Sequence, residues 1–111
     1  MTMKMIIAIV QDDDEAVLNQ AFQDHKIRAT KLSTTGGFLR AGNTTFMIGI
    51  EDNQVAKVLE LIKESSKRRQ QYVPLPTNYD VDFDMTQTFP VQVDVGGATV
   101  FVLPIEGFYR F

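Results

Sequence analysis

The sequence predicts an α+β fold of the ferredoxin-like (βαββαβ) kind, with two helices on one face of an antiparallel sheet. Three observations predict it. The length of 111 residues fits one domain and leaves no room for a second core. Apolar β-branched runs and helical stripes follow one another in the order β-α-β-β-α, then a long proline-containing segment, then strands. The first apolar run is two-sided, which suits a strand covered on both faces.

That run is Met3–Val10, which stops at an acidic cluster. Met5, Ile7 and Ile9 face one way along a strand, and Ile6, Ala8 and Val10 face the other. A ferredoxin-like sheet carries helices on one face only, so the second face calls for other copies of the chain. Asp12 and Glu15 form a D-x-x-E pattern that suits a capping box. Val17, Leu18, Ala21 and Phe22 then make a helical stripe.

Ile27–Thr34 reads as a second strand and Thr44–Ile50 as a third, with Phe46, Ile48 and Ile50 on one face. Asp52 suits the N-cap of a second helix, in which Val55, Val58, Leu59 and Ile62 recur at i, i+3, i+4 and i+7. Glu64 and Arg68 are spaced for an ion pair on its exposed face. From Arg69 to Thr88 no period is sustained, and Pro74, Pro76 and Pro90 bound or interrupt the region. Such a long loop in a small domain is uncommon and usually functional or disordered. Strands return at Pro90–Val95 and Ala98–Ile105, joined by Gly96-Gly97, and the chain ends in the aromatic GFYRF.

Composition narrows the function. The hydrophobic share of 44% and charged share of 23% are ordinary for a soluble globular domain. A net charge of −3 argues against a nucleic-acid polymer as partner, since that needs a basic face. With no cysteine there is neither a disulfide nor a thiolate metal site, and the single histidine, His25, builds no multi-histidine site. The apolar run near the N-terminus is too short for a signal sequence, and no stretch reaches transmembrane length. The chain reads as cytoplasmic.

The segment Thr34–Thr45, TTGGFLRAGNTT, is the strongest candidate site. Gly and Asn supply the positive φ that turns need, so a flexible hairpin connection is the bland reading. A hairpin needs only about two to five loop residues, however, and has no use for an apolar Phe38-Leu39 pair at its middle. Arg40 adjoins that pair, and Arg28, Thr30, Thr35 and Asn43 lie close in sequence. Glycine-exposed amides, hydroxyls and guanidinium groups can hold phosphate, and an aromatic ring can stack on a base.

Other motifs carry less. Gly96-Gly97 precedes a strand, ATVFVLPI, where a phosphate loop would open a helix, so a bulge or turn is the better reading. Asp12-Asp13-Asp14 suits a helix N-terminus, where carboxylates meet the positive end of the dipole. Asp80, Asp82 and Asp84 alternate along an extended segment without the glycine and terminal glutamate of a calcium loop. No nucleophile elbow, catalytic triad or Cys-His pair is present, so the chain does not read as an enzyme.

Three strings carry a resemblance: MKMIIAIVQD at Met3–Asp12, RATKLSTTGGFLRAGNTTFMIG at Arg28–Gly49 and VGGATVFVLPI at Val95–Ile105. Across nearly its whole length the chain resembles the PII-like cyclic di-AMP receptor proteins of Gram-positive bacteria, the PstA (DarA) family. The resemblance implies a PII-like homotrimer binding cyclic di-AMP in clefts between subunits and signalling to a downstream protein by loop rearrangement. It implies no metal and no cofactor beyond the ligand. A T-loop would span about 35–43 and a B-loop about 69–89.

Carried onto this sequence, the family's pocket falls on Arg28, Thr30, Phe38, Leu39, Asn43, Gly49 and Phe101, with Thr35 and Gly37 in the same loop. Phe38 would pack on an adenine, Leu39 and Phe101 would close the apolar surround, and Arg28 and Thr30 would address phosphate. Asn43 and the Gly49 backbone would read polar base edges. Two departures stand out. The family's F-H-Q-F tail is Phe108-Tyr109-Arg110-Phe111 here, and Arg110 offers donors but no acceptor, so it would meet phosphate or stack over a base. The B-loop lacks the family's P-M-G-G and carries YDVDFD. The alternatives are a PII-like sensor of another nucleotide such as ATP, and a structural trimeric adaptor binding protein through its acidic loop.

Overall fold

The structure, a computed structural model, describes residues 2–32, 42–74 and 90–111. Its centre is β1 (Met3–Gln11), whose β-branched Ile6, Ile7, Ile9 and Val10 fit a pleated strand. β1 pairs antiparallel with β3 (Asn43–Glu51) on one side and β6 (Ala98–Pro104) on the other, and β2 (Thr30–Leu32) pairs with β3. The four-stranded order is β2-β3-β1-β6. With α1 (Asp12–Asp24) and α2 (Val55–Ser66), this is the ferredoxin-like arrangement, β6 serving as the fourth strand.

The core lies between the helices and one sheet face. Ile6, Ala8, Val10, Phe46 and Ile48 meet Leu18 and Phe22 of α1 and Val58 and Ile62 of α2. Phe22 and Phe46 pack edge to face, with ring centroids 5.5 Å apart. The other face presents Met5, Ile7 and Ile9, Met47, Phe101 and Leu103. Among the described residues no helix lies on it, and Phe101 and Leu103 are exposed.

The expected start of α1 shifts by one residue. Gln11 is the N-cap, without a side-chain cap. Asp12 instead accepts a hydrogen bond from the Thr44 hydroxyl at 2.5 Å, so tertiary pairing displaces the capping box. The buried stripe of α1 is Asp14, Leu18 and Phe22 at i, i+4 and i+8, whereas Val17 is 59% exposed. Asp52 does not cap α2; it opens a 3-10 turn, Asp52–Gln54, and Gln54 precedes the helix. α2 ends at Ser66, so Arg68 lies beyond it and the helical Glu64–Arg68 pairing is not made. Of the stripe Val55, Val58, Leu59 and Ile62, Val58 and Ile62 are fully buried and Val55 packs against the core, but the leucine packed there is Leu61 in place of Leu59.

The second strand is shorter than expected. The Ile27 amide still bonds to the Phe22 carbonyl at the end of α1, and Lys26 takes a left-handed φ of 59° there. Pairing begins only at Thr30, and Ser33 and Thr34 lie outside the described residues. A larger difference falls at Arg69, where an irregular segment was expected. Arg69–Pro74 is instead a strand, β4, pairing antiparallel with β5 (Pro90–Val95) in a separate two-stranded sheet. Gln70 and Gln92 bond to each other across this hairpin. Its pairing is non-local and leaves no strong local period, which is why the sequence pattern missed β4.

Gly96 and Gly97 form the expected turn, joining the hairpin to β6 with φ of 85° and 89°. A Cβ at Gly96 would lie 2.6 Å from both the Arg69 guanidinium and the Lys67 carbonyl. Among the described residues no helix is long and apolar enough to cross a membrane. Asp80, Asp82 and Asp84 lie outside the described residues.

Candidate functional site

The helix-free sheet face collects most of the candidate residues. Because side chains alternate along strands, Asn43, Thr45, Met47 and Gly49 of β3 point to this face, as do Thr30 of β2 and Phe101 of β6. The register strings Thr30, Met47, Ile7 and Phe101 into one row across all four strands. Three strand spacings then separate Thr30 from Phe101, roughly 14 Å between backbones. Asn43 and Gly49 lie at opposite ends of β3, roughly 20 Å apart at the rise of an extended strand.

At the Gly49 end the face meets solvent in a depression of about 480 Å³ lined by Arg28, Gly49, Met3, Lys26 and Glu51, among others. Arg28 stands just before β2 and is exposed. It shares the depression with Lys26, brought there by its left-handed φ at the end of α1. Two cations near an exposed glycine backbone suit an anion with a polar edge, and Glu51 limits that charge. His25 also lines the depression; the sequence assigned it no chemistry.

The C-terminal tail reaches the same end. A Cβ on Gly49 would sit 3.7 Å from the Phe108 ring and 4.0 Å from Ile105, so the ring lies close over the glycine. The Arg110 guanidinium lies 6.0 Å from the centre of the Phe108 ring, at the outer range of a cation–π contact. Tyr109 and Phe111 stack on each other at 6.3 Å and stay exposed.

The structure thus brings Arg28 and Gly49 together and links Arg110 to them through Phe108. It sets Thr30, Asn43 and Phe101 at other places on the same face, and it does not bring Thr30 and Phe101 of one chain together. Thr35, Gly37, Phe38 and Leu39 lie outside the described residues. Sequence reasoning missed Lys26 and Phe108. A signal for Phe108 existed: a glycine inside a strand often marks a close approach by another group. It also missed Thr45, which is buried on this face with a hydroxyl lacking a partner among the described residues.

A sequence model of the cyclic-di-AMP receptor family matches residues 3–111. A functionally unknown protein from Pediococcus pentosaceus ATCC 25745 is 52% identical, with a TM-score of 0.77; the match covers 100% of this chain and 99% of that one. The Arabidopsis thaliana PII protein bound to citrate is 18% identical, with a TM-score of 0.61 over 97% of this chain and 79% of its own. A DUF3240 family protein from Shewanella baltica OS155 is 11% identical, with a TM-score of 0.60 over 100% and 98%. The last two show the fold alone, which is PII-like.

Proposed function

We propose a function from one premise: the chain belongs to the cyclic-di-AMP receptor family. It is a non-enzymatic receptor that binds cyclic di-AMP at the edges of the helix-free sheet face, in pockets shared between the copies of a homotrimer. The observation that carries the shared pocket is the row Thr30–Met47–Ile7–Phe101. Its two ends stand roughly 14 Å apart in one chain, too far to close on one adenine. When copies meet by this apolar face, the Phe101 edge of one can stand against the Thr30 and Gly49 edge of the next. Association also covers Met5, Ile7, Met47 and Leu103, whose exposure in a single chain costs free energy.

In this reading Arg28 and Thr30 hold phosphate, Gly49 offers backbone to a base edge, and Phe101 closes the apolar wall. Phe38, Leu39, Thr35, Gly37 and Asn43 add the T-loop wall, and Arg110, carried by Phe108, meets phosphate or stacks. The ligand then rearranges the T- and B-loops, and a downstream protein reads the change in the cytoplasm.

Titration calorimetry tests it. Cyclic di-AMP should bind saturably near one ligand per chain, and Phe38→Ala or Asn43→Ala should abolish the heat. Sedimentation should give three chains per particle. Absence of both heat and thermal shift at high cyclic di-AMP overturns the reading, and tighter competition by ATP would transfer it to another nucleotide.

A further inference from the structure

The acidic run Asp12-Asp13-Asp14 does more than meet the helix dipole. A dipole effect needs only negative charge near the first turn, exposed or not. Here the residues around that turn are committed to two separate segments. On one side the Asp12 amide donates to the Gly42 carbonyl at 2.8 Å, and the Asp12 carboxylate accepts from the Thr44 hydroxyl at 2.5 Å. These contacts fix the point where the chain returns from the TTGGFLRAGNTT segment into β3.

On the other side the Asp14 carboxylate, only 3% exposed, accepts from the Arg69 guanidinium at 2.8 Å at the start of β4. The Gln11 side-chain carbonyl accepts from the Gly96 amide at 2.8 Å, at the end of the hairpin. Arg69 also donates to the Lys67 carbonyl at 3.2 Å, and the Gly97 amide donates to the Ser66 carbonyl. No residue larger than glycine fits at position 96 without moving the Arg69 guanidinium or the Lys67 carbonyl. Its hydrogen bond to Asp14 holds the Arg69 guanidinium above its already high ordinary range. Both ends of the hairpin are therefore tied to the same helical turn that holds the return into β3.

We propose that the first turn of α1 is a joint coupling the two loop roots, with Asp12 holding the Gly42–Thr44 root and Gln11 and Asp14 holding the β4–β5 root. The turn is not a ligand site; its residues are positioning residues. A shift of the 42–44 root pulls on Asp12, and because Asp14 is buried two residues on in the same turn of a rigid helix, the pull reaches Arg69 and the hairpin. Coupling of this kind is reciprocal. Its use in signalling rests on the receptor reading above, since the ligand supplies the shift.

Amide hydrogen exchange on the full chain tests the joint without ligand. Arg69→Met removes the hairpin-side donor but touches nothing at 42–44, and it should speed exchange of the Asp12 amide at least about threefold. Thr44→Val removes the other side's donor and should speed exchange of the Gly96 amide by a similar factor. Unchanged Phe46 and Ile48 amides exclude global loosening, and Arg69→Lys should restore part of the Asp12 protection. If each substitution alters only the amides on its own side, the joint is overturned. With cyclic di-AMP, the β4–β5 amides should respond in the unsubstituted protein and lose that response in Arg69→Met while binding persists. A persistent hairpin response in Arg69→Met overturns the signalling use of the joint. Failure of the unsubstituted protein to bind overturns the receptor reading, and the ligand-free exchange still decides the joint.

Discussion

The two faces of the sheet are built from the same kind of strand and do different things. On the helix-covered face Ile6, Ala8, Phe46 and Ile48 are fully buried within one chain. On the opposite face Met5, Ile7, Ile9 and Met47 are half-buried, and Phe101 and Leu103 stand open. Alternate residues of β1 are equally apolar, so hydrophobicity alone does not separate the faces. The difference is what completes each: the chain's own helices on one side and, in the receptor reading proposed above, other copies of the chain on the other. Substitutions on the first face should therefore register in folding, and those on the second in association and binding.

The largest effect should come from Phe46→Ala. It empties a fully buried site and removes the edge-to-face contact with Phe22, and truncations of this kind cost about 3–5 kcal/mol. Urea unfolding at fixed protein concentration measures it. A loss below about 1 kcal/mol would mean that the covered face is not the main source of stability.

Ile7→Asp probes the opposite face, in the middle of the row that ends on Phe101. In a lone chain the carboxylate reaches water beside half-exposed neighbours. Against another copy it would be buried without a partner, so association should weaken at least about 100-fold, near 2.7 kcal/mol. Sedimentation across a concentration series reads it. An unchanged particle mass would show that this face is not where copies meet. Phe101→Ala is milder: loss of one aromatic contact should weaken cyclic di-AMP binding by about 0.5–1.5 kcal/mol, with little change in the urea midpoint.

Much of this comparison was legible in the sequence, for definite reasons. The two-sided run Met5–Val10 does place apolar side chains on both faces of β1, and Val58 and Ile62 are where the 3.6 period put them. The elements that escaped are set by partners distant in the chain. β4 exists because Arg69–Pro74 finds Pro90–Val95, and no local pattern encodes that pairing. Asp14 is buried because Arg69, fifty-five positions later, reaches it; by composition alone an aspartate in a first turn reads as solvated. The site was legible as residue types, because Arg28, Gly49 and Phe101 lie in the strings that carry the family resemblance. That Thr30 and Phe101 stand at opposite ends of one row became visible only with the strand register.

Val17 gives the smallest and most discriminating test. The helical stripe placed it inside with Leu18, yet it is 59% exposed while Leu18 is fully buried. The reason is angular: α1 buries the i, i+4, i+8 line through Asp14, Leu18 and Phe22, and a buried aspartate at its start turns Val17 outward. Val17→Ala then loses little buried area, and alanine is the better helix former, by up to about 0.7 kcal/mol. The two nearly cancel, so unfolding stability should stay within about 0.5 kcal/mol of the parent, or rise slightly. Leu18→Ala, one residue on, should cost about 2–5 kcal/mol. If Val17→Ala instead costs more than about 1 kcal/mol in a concentration-dependent way, the outer surface of α1 is covered in the assembly too. The two sheet faces would then not be the only division between folding and association.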